Sequence, residues 1–291
     1  MEFRKAERRK AKLRLGITGT AGSGKTYGAL LVAKGLGGKT VLIDTENGSG
    51  DLYATEFDYD VGAIQAPYEV KKYIQAIHSA EQAGYDIIII DSLSHAWAGE
   101  GGLLDLQGKI TDASYSKNSY TAWRKVTPLH NELIETMLNS PCHIIATMRS
   151  KTEYIQTENE NGKKEIIKVG LAPVQREGMD YEFTTVFDLG AKHIVTVSKD
   201  RTSIFDGEIF TLSELTGKKL KEWLDTGYDA HEQKRQQQIL WQRYLNVFNQ
   251  DAKQAAETIK TVTGKTSFTN CTADDFQALI SDIEQREQLS A

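Results

Sequence analysis

Gly19-Thr20-Ala21-Gly22-Ser23-Gly24-Lys25-Thr26 fits the pattern G-x-x-x-x-G-K-[ST] at every fixed position. The glycines let the backbone turn so that several N–H groups point inward at phosphate oxygens. A helix starting near Gly24 adds the positive end of its dipole. Lys25 reaches the β- and γ-phosphates as a point charge, and the Thr26 hydroxyl is a hard oxygen ligand suited to Mg²⁺. The flanks agree. Leu13–Thr18 is a short strand running into the loop, and Thr26–Lys34 carries Ala29, Leu30 and Ala33 at helical spacing before Gly35, Gly37 and Gly38 end it. All eight residues are therefore read as holding the triphosphate of ATP.

Working outward, Thr40–Asp44 (TVLID) and Tyr85–Asp91 (YDIIIID) are continuous apolar runs that predict buried strands. Tyr68–Ala83 predicts a helix, Trp123–Leu138 an amphipathic helix, and His143–Thr147 a further strand after Pro141. Strands alternating with helices imply parallel βαβ units. The pattern then changes. Glu153–Gln156 and Glu165–Val169 flank Asn161-Gly162, a hairpin-turn signal. Glu182–Leu189 and His193–Ser198 predict further antiparallel strands at one edge, and Leu220–Leu224 a last short helix. From His231 onward the composition shifts to Gln, Lys, Ala and Glu without strand signal, and helices are expected at Gln236–Phe248, Ala252–Val262 and Phe276–Glu287. The fold class is thus α/β, a mainly parallel central sheet with antiparallel edge hairpins, plus a small C-terminal helical module. The expected divisions are a basic arm over residues 1–12, a core over 13–227 and the module over 228–291.

Two acidic positions complete the phosphate site. Asp91 ends the isoleucine strand, on the strand expected beside the phosphate loop, where it would share Mg²⁺ with Thr26; Ser92 would hydrogen-bond the metal's water or the γ-phosphate. Hydrolysis also needs a group to orient or deprotonate water. Glu46 leaves the end of the second strand and faces the same crevice as Lys25, with Asp44 as its competitor.

The net charge of −5 excludes a molecule coated in positive charge. Arg4, Lys5, Arg8, Arg9, Lys10, Lys12 and Arg14 nevertheless crowd the first stretch, as either a nucleic-acid or partner-binding arm or a solvated basic helix. No apolar run approaches the ~20 residues that span a bilayer, so no membrane partner is expected. The stretch before the first strand lacks the apolar centre of a secretory signal. Cys142 and Cys271 lie far apart and suggest neither a disulfide framework nor a metal site. A cytoplasmic location follows by default.

The stretches GTAGSGKT, VLIDTENGSGDLYA (Val41–Ala54), IIIIDSLSHAW (Ile87–Trp97) and VTVSKDRTSIF (Val195–Phe205) together resemble the RecA/RadA recombinase-type P-loop ATPases over roughly Leu13–Leu224. The resemblance implies a RecA-like core with ATP at subunit interfaces. It assigns Glu46 as the catalytic glutamate over Asp44, and places Tyr53 against adenine, with core packing as the alternative role. It also implies that Lys199 and Arg201, in a K-x-K spacing with arginine replacing the second lysine, reach the neighbouring subunit's γ-phosphate; an exposed basic turn is the alternative. The motif order, the short core and KVGLAPVQREGMDYEF (Lys168–Phe183) look closest to short phage ATPases related to RecA, which act in single-strand annealing or recombination. Such a protein would work in the host cytoplasm.

Proteins of this type bind single-stranded DNA with two mobile loops. The corresponding segments are Trp97–Asn118, with Lys109 and Lys117, and Arg149–Lys168, with Arg149, Lys151, Lys163 and Lys164. Interspersed Tyr115, Tyr120 and Tyr154 suit base stacking, although Glu153, Glu158, Glu160 and Glu165 dilute the charge; Arg149 is alternatively a γ-phosphate sensor. The implied partners are single-stranded DNA, further copies of the chain in a ring or filament, and a single-strand-binding or other recombination protein docked on the C-terminal module. A motor or helicase-like NTPase in replication or packaging, and an ATP-switched partner-binding module, are the alternative functions.

Overall fold

The computed structural model of the chain describes residues 6, 8–115, 117–158, 164–190, 192–227, 230–266 and 271–290. They form two compact units, Ala11–Asp225, and Met1–Lys10 with Thr226–Ala291.

In the larger unit, β1 (Arg14–Gly19) leads into α1 (Lys25–Leu36), followed by β2 (Thr40–Asp44), β3 (Asp60–Ala63), α2 (Val70–Gln82) and β4 (Ile87–Asp91). Next come α3 (Ser94–Ala98), α4 (Leu103–Ala113), α5 (Ser119–Asn139), β5 (His143–Glu158), β6 (Lys164–Pro173), β7 (Thr185–Leu189), β8 (Ile194–Asp200), β9 (Phe210–Thr211) and α6 (Glu214–Leu224). Among the described residues the sheet runs β3-β2-β4-β5-β1-β7-β8-β9, with β6 on β5. The α/β class with a mainly parallel sheet and antiparallel edges is what the alternating pattern predicts.

The isoleucine strand explains why its sequence does not alternate. Ile87 and Ile89 pack on one face with Leu15, Ile17 and Leu30, while Ile88 and Ile90 pack on the other with Tyr73, Ile77 and Val126. All four are fully buried, and each such side chain contributes about 1.5–3 kcal/mol of transfer free energy. Helices α1 and α6 cover one of these faces at very close range. A Cβ on Gly35 would lie 2.0 Å from the Glu214 carbonyl oxygen, and one on Gly217 2.1 Å from that of Val32. Only glycine permits that approach.

Four expectations need correction. Strand β7 is parallel to β1 and antiparallel only to β8. Strand β5 lies between β1 and β4, so Asp91 is one strand removed from the phosphate loop's own strand. Trp97–Asn118 is not a long loop: α4 fills half of it, with Leu103 buried and Leu106 and Ile110 packed against the core. Its glycines and polar residues hid a face that repeats at 103, 106 and 110. The second supposed loop is also built, because β5 continues past Arg149 and pairs antiparallel with β6 from Ser150 to Glu158. The Asn161-Gly162 turn signal lies outside the described residues.

Arg14, counted with the basic arm in the sequence, is 6% exposed within β1. Its guanidinium donates to the carbonyls of Leu13, Cys142, Leu138 and Ser140 at 2.5–2.9 Å, closing the end of α5. Burial drags its pKa down to about 10, opposed by Cys142 and Glu81.

The smaller unit holds α7 (Ala230–Val247), α8 (Ala252–Thr263) and α9 (Ala273–Ser290). Its own core contains Leu240, Tyr244, Ile259, Phe276, Leu279 and Ile283. Trp241, Leu245 and Phe248 pack against this cluster, which is the structural role their helical spacing predicts. No helix among the described residues is long and apolar enough to cross a membrane.

Candidate active site

The phosphate loop joins β1 to α1 through two left-handed glycines, Gly22 at φ 73° and Gly24 at φ 88°. Neither conformation suits an L side chain. Gly19 is required for a different reason, since a Cβ there would meet Ser23 Oγ at 2.3 Å. Ser23 is fully buried and its hydroxyl has no hydrogen-bond partner. Lys25 Nζ donates to the Thr20 carbonyl at 2.9 Å, so the ammonium already leans over the loop. Burial lowers its pKa below the ordinary lysine value, while Asp91 and Glu46 pull the other way.

Asp91 reaches the loop from β4 although β5 intervenes. Thr26 Oγ1 donates to Asp91 Oδ2 at 2.5 Å, and Thr147 on β5 donates to Oδ1. Burial raises the Asp91 pKa above the ordinary range, against the pull of the two threonine hydroxyls. A hydroxyl and a carboxylate held together are hard oxygen donors of the kind Mg²⁺ takes alongside phosphate oxygens and water. Among the described residues no cluster of three or more His, Cys, Asp or Glu could hold a metal by itself, so the fit is to a metal that arrives with phosphates.

The two acidic residues at the end of β2 divide their tasks. Asp44 is 2% exposed, and its carboxylate accepts the N–H of Glu46 at 2.6 Å and of Gly48 at 2.7 Å. Both oxygens are occupied in shaping the turn. Glu46 instead presents its carboxylate beside Lys25's cluster: Ser92 Oγ donates to Oε1 at 3.1 Å, and Arg149 grips both oxygens, with Nε on Oε1 at 3.0 Å. Burial alone would raise the Glu46 pKa, but the hydrogen bonds and charge of Arg149, with His95 and Ser92, bring it below the ordinary carboxylate value.

Several residues here had no role assigned from the sequence. Thr45 Oγ1 takes the N–H of Ser92 at 2.8 Å and meets His95 Nδ1 at 2.8 Å, pinning the end of β2 to the end of β4. His95 stacks on Tyr68 at 4.6 Å between ring centres. Burial and then Arg149 lower the His95 pKa, opposed by Glu46, by the hydrogen bond to Thr45 and by Asp91. Thr147 and His193 were equally silent in the sequence. His193 Nδ1 lies 2.9 Å from the Ser23 carbonyl oxygen, on the phosphate loop. Polar residues at strand ends give the only hint, and it is a weak one.

A cavity of about 550 Å³ opens against the loop, walled by Gly22, Gly24, Tyr27, Tyr53, His193 and Thr211 among others. Tyr53 is half-buried there, edge-on to Tyr27 at 5.3 Å, so it both packs and faces the cavity. Lys199 and Arg201 lie elsewhere: Lys199 Nζ donates to the carbonyls of Asp180 and Tyr181 at 2.8 and 2.6 Å, and Arg201 to that of Tyr181 at 3.0 Å. Neither has a described contact with its own chain's phosphate loop.

The DNA candidates are scattered. Lys109 pairs with Asp105 on α4 at 2.8 Å. Lys117, in a left-handed turn, and Lys151 are exposed. Lys163 lies outside the described residues, and only the backbone of Lys164 is described. Arg149 is engaged at Glu46 rather than set on a mobile loop.

A solved structure described as the RadB recombinase is similar over 76% of this chain and 92% of that one, at 16% identity and a TM-score of 0.37. No curated protein matches the chain. The family described as an AAA domain matches residues 11–208, from before β1 to the turn beyond β8. The chain belongs to this AAA domain family, and with it to the P-loop ATPases.

Proposed function

We propose that the chain hydrolyses ATP at the carboxyl edge of its parallel sheet and couples hydrolysis to single-stranded DNA in homologous recombination or annealing of the phage type. One observation carries the reading: Lys25 and Thr26 at the start of α1, Asp91 at the end of β4 and Glu46 after β2, three separate segments, converge on one crevice. Backbone N–H groups from Gly19 to Thr26 and the Lys25 ammonium hold the phosphates. Thr26 and Asp91 hold Mg²⁺, which neutralises phosphate charge when bound. Glu46 orients the attacking water and accepts its proton, and Ser92 fixes the carboxylate's direction.

The coupling to DNA draws on the resemblance of the four motifs to RecA-type recombinases. Further support comes from exposed Tyr115, Tyr120, Lys117 and Lys151 in the corresponding segments. Lys199 and Arg201 both donate to the Tyr181 carbonyl, and Lys199 also donates to that of Asp180 and lies 5.8 Å from the Tyr181 ring centre, contacts that involve no carboxylate. That leaves their charge available to a γ-phosphate held by a neighbouring copy in a ring or filament.

ATP turnover measured with and without single-stranded DNA tests the reading. Stimulation by the DNA is expected. Turnover that ignores DNA contradicts the coupling and favours a motor working on another substrate, and ATP binding without any turnover favours the ATP-switched module.

A further inference from the structure

The turn between β7 and β8 carries a residue whose backbone and ring are both committed to the phosphate loop. His193 adopts φ 62°, a left-handed conformation unusual for a residue with a side chain. The turn is closed by His193 N–H to the Gly190 carbonyl at 3.0 Å and Gly190 N–H to the Ile194 carbonyl at 2.9 Å. This backbone presses the ring onto the loop, so closely that a Cβ on Gly24 would lie 2.9 Å from His193 Nδ1. The ring also walls the cavity that Gly22, Gly24 and Tyr53 share.

The hydrogen bond settles which ring nitrogen carries the proton. The partner of Nδ1 is the Ser23 carbonyl oxygen at 2.9 Å, which only accepts. Nδ1 must therefore donate, and in the neutral ring Nε2 is left as an acceptor. The cavity begins at the glycines that hold the phosphates, and its volume of about 550 Å³ suits a nucleoside. We infer that His193 reads the base: its Nε2 accepts a hydrogen bond from the exocyclic amine of a 6-aminopurine. A 6-oxopurine presents an acceptor oxygen at that position and meets lone pair with lone pair. The protein thus selects adenine over guanine through a residue outside the nucleotide-binding motifs. This rests on the phosphate-site reading above and adds the base specificity of that site.

Equilibrium binding of ATP, GTP and purine riboside triphosphate, which lacks the amine, tests the inference. The variants are His193→Gly, which accommodates φ 62°, and His193→Asn, which tolerates it while shortening the side chain. In the unaltered protein ATP binds about tenfold more tightly than purine riboside triphosphate, the worth of one hydrogen bond, and GTP binds more weakly still. In both variants the ratio of ATP to purine riboside triphosphate affinity falls from about tenfold to about one, whatever the change in overall affinity. An ATP preference that persists in both variants, or a uniform loss for all three nucleotides, overturns the base-reading role. Equal binding of ATP and purine riboside triphosphate by the unaltered protein overturns it while leaving the phosphate site intact. Failure of the unaltered protein to bind any of them overturns the phosphate-site reading itself.

Discussion

Arg149 holds Glu46 by both carboxylate oxygens, from β5 to the end of β2 across the intervening β4. Arg149 is itself fixed, since its N–H donates to Ser94 Oγ at 2.9 Å. The pair sits between the phosphate site and the strand that continues into the β5–β6 hairpin. A DNA strand acting on that hairpin would therefore act one residue from the glutamate's partner.

Loss of this grip shifts the acid limb of the reaction. The bound Glu46 carboxyl lies below the ordinary value because Arg149, His95 and Ser92 overcome the effect of burial. Removing the guanidinium leaves burial to dominate, so the pKa rises and the carboxylate is lost at a higher pH. Arg149→Met is expected to move the acid limb of kcat/KM to higher pH. A pH–rate profile superimposable on that of the unaltered protein contradicts it.

Asp91 combines function with a cost in stability. Its folded pKa lies above the unfolded one, so ionisation is disfavoured in the fold and stability declines as pH rises from the unfolded pKa through the folded one. Asp91→Asn removes that charge, and the Thr26 and Thr147 hydroxyls can turn to suit an amide. At pH 7 in the absence of nucleotide the variant is expected to melt about 2–4 °C higher, while Mg²⁺-dependent turnover falls about a hundredfold or more. Calorimetry and steady-state rates check the two halves. A lower melting temperature contradicts the account of Asp91 as a strained carboxylate.

Arg14 is structural, unlike the other cations of its stretch. Arg14→Met fills the space but takes the donor from four carbonyls, three of them in buried contacts. Unfolding in denaturant is expected to show a loss of about 3 kcal/mol, with ATP affinity unchanged. A loss under about 1 kcal/mol contradicts the capping role.

Lys199 and Arg201 supply a concentration-dependent test. If they serve a neighbour's phosphate, the double alanine variant loses turnover under assembling conditions but keeps the ATP affinity of the isolated chain. Turnover equal to that of the unaltered protein at every concentration contradicts service in trans.

The phosphate loop was legible because its chemistry demands glycines, a lysine and a hydroxyl at fixed spacing, and β2 and β4 because burial on both faces leaves only apolar residues. Asp91 was found from its strand, yet its neighbourhood was misjudged. Strand order depends on crossovers between distant segments, which local patterns do not encode, and so β5 between β1 and β4 went unseen. Helix α4 was masked by Gly108 and by polar residues whose apolar partners recur only once a turn. Arg149 read as a loop cation or a γ-phosphate sensor and His193 as the start of a strand, because what defines them is the partner each meets, Glu46 across 103 positions and Ser23 across 170.

The central claim is that Glu46 performs the chemistry while Asp44 builds the turn. Glu46→Gln, measured for ATP affinity and for single-turnover hydrolysis in the same preparation, tests it most directly. The account predicts ATP affinity within about threefold of the unaltered protein and hydrolysis slowed by about a hundredfold or more. Hydrolysis within a few-fold of the unaltered rate, with ATP still bound, would contradict it.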